Sequence, residues 1–407
     1  MNATASSFGA LRRAIVFMSA FAVISDAVLI AFYPQFFESR YGITSEFHVG
    51  AYIAAISIAV MFTLPLWARV AQRVETMQLL LVTQCAAGLL CLASAFAESL
   101  AGYWVLSMLM FMCKSSYLLM YPYLMRLEKP EDHGHTIGLL SVVVHLGGIF
   151  GAVAGGWLLQ SVDPAACLWL MAGGDFAQML VCAWLIGSGR VVRVLGTEPS
   201  PQARSARRGI GTRTLVLCLI TLTFTFSAYL IRPFFSVYWQ QVSPGSLPAE
   251  SGMVFAIPGA VALIALFVNR HASRRFDHVL ANLLLGSLGL LMQAAPSEPL
   301  ILLGRVLYGW SLFQLIVKFE VVLFRFSKPD DYARDFSVFN FFQNLGVLLS
   351  SFAAGALVGP FGIAVTFVIA SACLLLTAAL DALLLGCDRQ HAATAPSVPL
   401  GAAHHAN

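Results

Sequence analysis

The sequence predicts an all-α membrane protein: twelve transmembrane helices in two six-helix halves, with both termini cytoplasmic. Three observations carry this. Of 407 residues, 59% are hydrophobic and only 11% are charged, against about 25% charged in soluble domains. So few charges cannot cover a soluble fold of this size, so its solvent is largely lipid. Repeated apolar runs reach the roughly 20 residues that a helix needs to cross a bilayer. Finally, a shift of 199 residues brings one half of the chain onto the other.

The apolar runs fall near 14–36, 49–70, 77–97, 102–124, 136–160 and 166–187, and then near 213–240, 251–269, 278–295, 299–325, 335–358 and 362–386. They are too long, and too continuous, for the alternating strands of a membrane barrel. The first run follows Arg12 and Arg13, as the core of a signal peptide would. It exceeds twenty residues, carries Asp26 midway and lacks a small-residue cleavage site, so it is expected to stay as a span.

The domains expected are a first half over 1–187, a linker over 188–212, a second half over 213–388 and a disordered tail over 389–407. The linker holds Arg190, Arg193, Arg204, Arg207, Arg208 and, just past it, Arg213, against one acid, Glu198. A cytoplasmic connector accounts for that charge; contact with anionic lipid is the alternative. The tail is rich in Ala and Pro.

Orientation follows from the basic residues. With the N-terminus inside, nineteen of the 24 Lys and Arg fall in inner loops and tails and one, Arg40, falls outside. Such a bias sets topology. The net charge of +4 is small, and no basic-aromatic platform for nucleic acid appears. Eight scattered cysteines, with no C-x-x-C pair, read as small apolar packing residues. No metal or cofactor ligand set and no P-loop is visible.

The repeat is clearest in a charged loop. Arg126-Leu-Glu-Lys-Pro-Glu-Asp132 falls on Arg325-Phe-Ser-Lys-Pro-Asp-Asp331. The same register pairs Pro34 with Pro233, Phe36 with Phe235, Gly147 with Gly346 and Gly156 with Gly355. Apolar segments often match by chance; a charged loop does not.

Two six-helix halves in parallel repeat around a basic linker resemble the major facilitator superfamily. Its fifth-helix motif, G-x-x-x-G-P-x-x-G-G, is similar to Gly147-Gly-Ile-Phe-Gly151-Ala152-Val-Ala-Gly155-Gly156, with Ala152 in place of proline. Its R-x-x-x-G motif resembles Arg305-Val-Leu-Tyr-Gly309 in the tenth helix. Its usual loop between helices two and three is degraded here to Pro65-Leu-Trp-Ala-Arg69-Val-Ala-Gln72-Arg73, with Arg69 where the family has Asp. The resemblance implies alternating access, and the fifth-helix glycines resemble those of exporters. They also form a small-residue ladder that lets helices approach closely, and packing explains that equally.

Ionisable residues inside spans mark the site. They are Asp26 in the first, Lys114 in the fourth, His145 in the fifth, Asp175 in the sixth, Arg232 in the seventh, Arg305, Lys318 and Glu320 in the tenth, and Asp381 in the twelfth. A central Arg, Lys or Asp costs about 2.5–3.5 kcal/mol even on the milder insertion scale, so such groups face protein or water. Six of the nine lie on helices 1, 4, 7 and 10, which line the central cavity in the superfamily that the chain resembles. Polar stripes add Tyr117 and Tyr121 beside Lys114, Tyr229 beside Arg232, and Asn340 and Asn344 on the eleventh helix. Arg232 and Arg305 have a second reading, snorkelling to the interface. Asp175 reads as an inter-helix hydrogen bond and Asp381 as a helix-end group.

The expected function is secondary active transport by a monomer in a bacterial inner membrane. Asp26 is the expected proton-coupling residue. Lys114, Tyr117, Tyr121, His145, Tyr229, Arg232, Arg305, Lys318, Glu320, Asn340 and Asn344 are the expected cavity. The stretch Lys114-Ser-Ser-Tyr-Leu-Leu-Met-Tyr-Pro-Tyr123 resembles bacterial siderophore exporters of the alcaligin and vibrioferrin type, which implies proton-coupled efflux of a small polar or anionic molecule. A drug:proton antiporter, or a symporter importing a sugar or an aromatic acid, remains open.

Overall fold

The computed structural model describes residues 2–128, 133–191, 211–271, 278–327 and 332–384. The expected tail lies outside the described residues, as does all of the expected linker except 188–191 and 211–212. So do residues 129–132 and 328–331 of the matching charged loops.

The described residues are helical and contain no strand. Twelve apolar segments follow in order: segment 1, Asn2–Ile30 continuing as Tyr33–Tyr41; segment 2, Glu46–Val70; segment 3, Thr76–Ala95; segment 4, Leu100–Leu127; segment 5, His133–Ser161; segment 6, Ala165–Gly187; segment 7, Thr212–Leu230 continuing as Phe235–Val242; segment 8, Pro248–His271; segment 9, Val279–Ala294; segment 10, Glu298–Phe326; segment 11, Tyr332–Phe361; and segment 12, Ala364–Leu384. Eleven are long and apolar enough to cross a membrane; segment 9, with 16 residues, is the short one.

Three segments break, and each break has a cause. Segment 1 turns at Ala31–Phe32, and Pro34 enters the first turn of the helix that follows. A proline there costs nothing, because the N–H it lacks would have had no partner. Segment 7 breaks over 231–234 around Pro233, the residue paired with Pro34 by the repeat. Segment 4 tightens into a 3-10 stretch, Ser115–Leu119, directly after Lys114 and ahead of Pro122. Hydroxyls from neighbouring segments pin that stretch: Thr63 Oγ1 lies 2.8 Å from Ser115 Oγ, and Thr83 Oγ1 lies 2.6 Å from Ser116 Oγ.

Packing repeats with the sequence. Segment 1 packs on 5 and 6, and segment 3 on 4 and 6; segment 7 packs on 11 and 12, and segment 9 on 10 and 12. Segments 2 and 11 meet across the middle, as do 5 and 8. The glycines show why. A Cβ on Gly147 would fall 2.9 Å from Val23, and one on Gly346 would fall 2.7 Å from the Leu222 carbonyl oxygen. Val23 and Leu222 are themselves 199 residues apart. Gly156 lies against Pro248 and Ala249, and its counterpart Gly355 lies against Glu46, Phe47 and Gly50.

These last contacts join the first six segments to the last six on the side away from the arginine-rich loops. Gln35 Nε2 donates to Ser236 Oγ at 2.9 Å on that same side. On the arginine-rich side a cavity of about 420 Å³ lies between segments 2, 4 and 11, walled by Pro65, Pro122, Tyr123, Arg126, Arg334 and Phe341, among others. The molecule is therefore closed on one side and hollowed on the other.

Candidate ion-coupled site

The site forms where segments 1, 4 and 6 converge. Lys114, the last residue of the first α-helical part of segment 4, points its ammonium at three oxygens. Asp26 Oδ1 is 3.0 Å away, Asp175 Oδ1 3.1 Å and Ser25 Oγ 2.7 Å. An ammonium has three N–H donors, so each has a partner. Ser25 passes its own proton to the Met171 carbonyl at 2.9 Å. Tyr117 O–H donates to Asp26 Oδ2 at 3.2 Å.

Small residues make the convergence possible. A Cβ on Gly174 would fall 2.9 Å from Ser25 Cβ, so glycine there lets segment 6 reach segment 1 and carry Asp175 to Lys114. From segment 5, Gly151 presses on the Ile24 carbonyl and Ala27, one turn around from Asp26. Gly155 lies so close to the Val28 carbonyl that a side chain has no room.

Exposure separates the three charged groups. The Asp26 side chain is 33% exposed, whereas Lys114 and Asp175 keep 2% and 0%. Two carboxylates thus share one ammonium, and one of the two faces open space. Close pairing is what makes buried charge tolerable in a low-dielectric interior.

The other expected residues whose side chains are described are not drawn into this cluster. Arg305 is buried, and its guanidinium donates to the Val254 carbonyl at 3.2 Å and to that of Phe255. It lies 4.1 Å from the Phe235 ring centroid. It therefore fastens segment 10 to segments 7 and 8. Arg232 sits in the break of segment 7 with its guanidinium 4.0 Å from the Tyr229 ring centroid. Tyr121 stacks on Phe336 of segment 11, centroids 5.5 Å apart. Lys318 and Glu320 are half-buried on either side of Phe319, which packs on Phe224. Glu320 Oε2 is buried with no hydrogen-bond partner. Asn340 and Asn344 donate to carbonyls one turn back in segment 11, at 3.2 and 2.9 Å. His145 lies on segment 5, its side chain outside the described residues. Gly147, Gly151 and Gly155 seat segment 5 on segment 1, and Gly156 seats it on segment 8.

The sequence reads Asp175 as an inter-helix hydrogen bond without showing its partner, which is Lys114 of segment 4. Ser25 carried no signal beyond standing next to Asp26. Among the described residues, no three His, Cys, Asp or Glu side chains cluster to hold a metal.

Residues 15–292 match the family described as Major Facilitator Superfamily. No curated protein matches the chain. Solved structures with the same fold include the human organic anion transporter MFSD10 (TETRAN), with a TM-score of 0.73 and 16% identity over 92% of this chain and 99% of that one. The nucleoside transporter NupG gives 0.70 and 12%, covering 92% and 100%. The POT family transporter PepTSo gives 0.72 and 12%, covering 93% and 98%. At these identities the likeness speaks for the fold alone.

Proposed function

Because the chain belongs to the Major Facilitator Superfamily, we propose that it is a secondary active transporter coupling a small polar or anionic molecule to protons. That it is a multi-pass membrane transporter and not an enzyme follows from the family and the shared fold. The rest is our reading: twelve spans in halves 1–187 and 213–388, both termini cytoplasmic, a monomer in a bacterial inner membrane.

The observation that carries proton coupling is the Asp26–Lys114–Asp175 cluster. It holds more carboxylate than ammonium, and its Asp26 edge is exposed. A proton taken up there changes the net charge of a buried site. This is a large electrostatic lever on which helix arrangement is stable. In alternating access the cluster loads and unloads as the halves rock. The halves meet on one side and leave a cavity on the other, as expected of a molecule open toward the arginine-rich side.

Efflux, with a siderophore as its sharpest form, rests on the fifth-segment glycines and on Lys114–Tyr123. A deletion strain grown under iron limitation tests it. Intracellular accumulation of a hydroxamate or carboxylate chelator supports the reading, and unchanged secretion removes it.

One observation favours a second reading, uptake with protons. All three donors of Lys114 are taken. An anion therefore finds a free donor only after the cluster has taken up a proton, so anion and proton would bind together. Counterflow in vesicles, followed by imposed pH gradients of each sign, separates the two. Accumulation driven by an acid interior is exchange for protons, the mode of efflux, and accumulation driven by an acid exterior is symport. A drug:proton antiporter fits if cationic probes alone respond.

A further inference from the structure

Resting on that reading of the cluster, we infer that its proton is held by Asp175, the fully buried carboxyl, while the part-exposed Asp26 keeps the negative charge. With both carboxylates ionised, the cluster carries one net negative charge inside the membrane. One proton makes it neutral, and desolvation favours the neutral state.

Geometry decides which carboxyl takes the proton. Asp26 has a partner on each oxygen, Lys114 at 3.0 Å and the Tyr117 hydroxyl at 3.2 Å, and a third of its side chain is exposed. Asp175 has no exposure and one partner, Lys114 at 3.1 Å on Oδ1. Its Oδ2 is buried and accepts no hydrogen bond. A buried carboxylate oxygen without a donor is costly; the same oxygen carrying a proton becomes a donor itself. Gln178, one turn further along segment 6, leaves its Oε1 buried without a donor as well. Among the described residues, the remaining titratable groups near Asp175 are Cys91, whose thiol donates to the Leu168 carbonyl, and Tyr117. Neither is a cation, so among the described side chains Lys114 offsets both acids.

The arrangement makes Asp175 a proton store behind Lys114. The stored proton leaves only when segments 1, 4 and 6, all within the first half, shift against one another. Asp26 is free to trade Lys114 for water or substrate meanwhile, because a neutral Asp175 still seats the ammonium.

Site-resolved carbon NMR on the full-length protein in lipid tests this without any substrate. Gly174–Asp175 and Ser25–Asp26 are each unique dipeptides in the chain, so paired labelling assigns both carboxyl carbons. At neutral pH the Asp175 carboxyl carbon is expected at the neutral-acid shift and that of Asp26 at the carboxylate shift. The Asp26→Asn variant is expected to move Asp175 to the carboxylate shift, because one acid against one ammonium needs no proton. A purely structural Asp175 would not respond in that way. An ionised Asp175 in the unaltered protein, a proton on Asp26, or an Asp175 unmoved by Asp26→Asn overturns the inference. If the NMR result stands while vesicles show no proton-linked transport, the coupling reading fails and the proton's location survives.

Discussion

The three charges at the site divide the labour by exposure. Lys114 is the keystone, since two carboxylates and a serine converge on it. Replacing it leaves two acids without a counter-ion in the membrane interior, and breaking a buried pair in this way costs about 3–5 kcal/mol. Lys114→Met is therefore expected to melt well below the unaltered protein in detergent. Asp26→Asn, which alters the exposed member and leaves the Lys114–Asp175 pair, is expected to melt close to it; equal losses in both variants would contradict this division. Asp26 and Lys114 were legible in the sequence, because a charge at the centre of an apolar run has few innocent explanations. Asp175 was equally visible as a residue, but its partner was not. A sequence shows which groups need a counter-ion; only the glycine at position 174 and the crossing of segments 1 and 6 show who supplies it. Arg305 is the converse case. Its charge is answered by backbone carbonyls and aromatic faces, partners that no residue pattern announces.

Helices here are positioned by absence of side chain as much as by its presence. Gly155 touches the Val28 carbonyl, whereas Gly148, on another face of the same helix, has nothing within 4 Å of its missing Cβ. Gly155→Ala is expected to cost about 1–3 kcal/mol through overpacking, and Gly148→Ala to be neutral. Thermal unfolding of the two variants measures the difference, and equal melting would refute the close seat of segment 5 on segment 1. Span positions were readable from apolar run length; the breaks in segments 1 and 7 were not, since the runs near 14–36 and 213–240 pass through Pro34 and Pro233. Nor was the 3-10 stretch after Lys114, because hydroxyls on segments 2 and 3 hold it. Segment 9 came out short: 16 residues make a helix of about 24 Å, below the ~30 Å of a typical hydrocarbon core.

At the scale of the whole molecule, the repeat becomes a pair of interfaces. Segments 2 and 11, and 5 and 8, meet through Gly50, Gly355, Gly156 and Gly252 on the side away from the arginine-rich loops. In the proposed mechanism, rocking of the halves opens that seam. Cysteines in place of Gln35 and Ser236, whose side chains now touch at 2.9 Å, bridged by a short thiol cross-linker, are expected to abolish transport; reduction is expected to restore it. Unimpaired transport in the bridged protein would mean that the seam need not part. The repeat itself was readable in the charged loops, but which glycines meet across the middle was not, since that depends on helices far apart in the chain. The central claim is that the cluster around Lys114 couples transport to protons, and its most direct test uses Asp26→Asn in proteoliposomes with a substrate found by counterflow. The expected result is counterflow that persists while accumulation driven by a pH gradient is lost. Gradient-driven accumulation equal to that of the unaltered protein would contradict it.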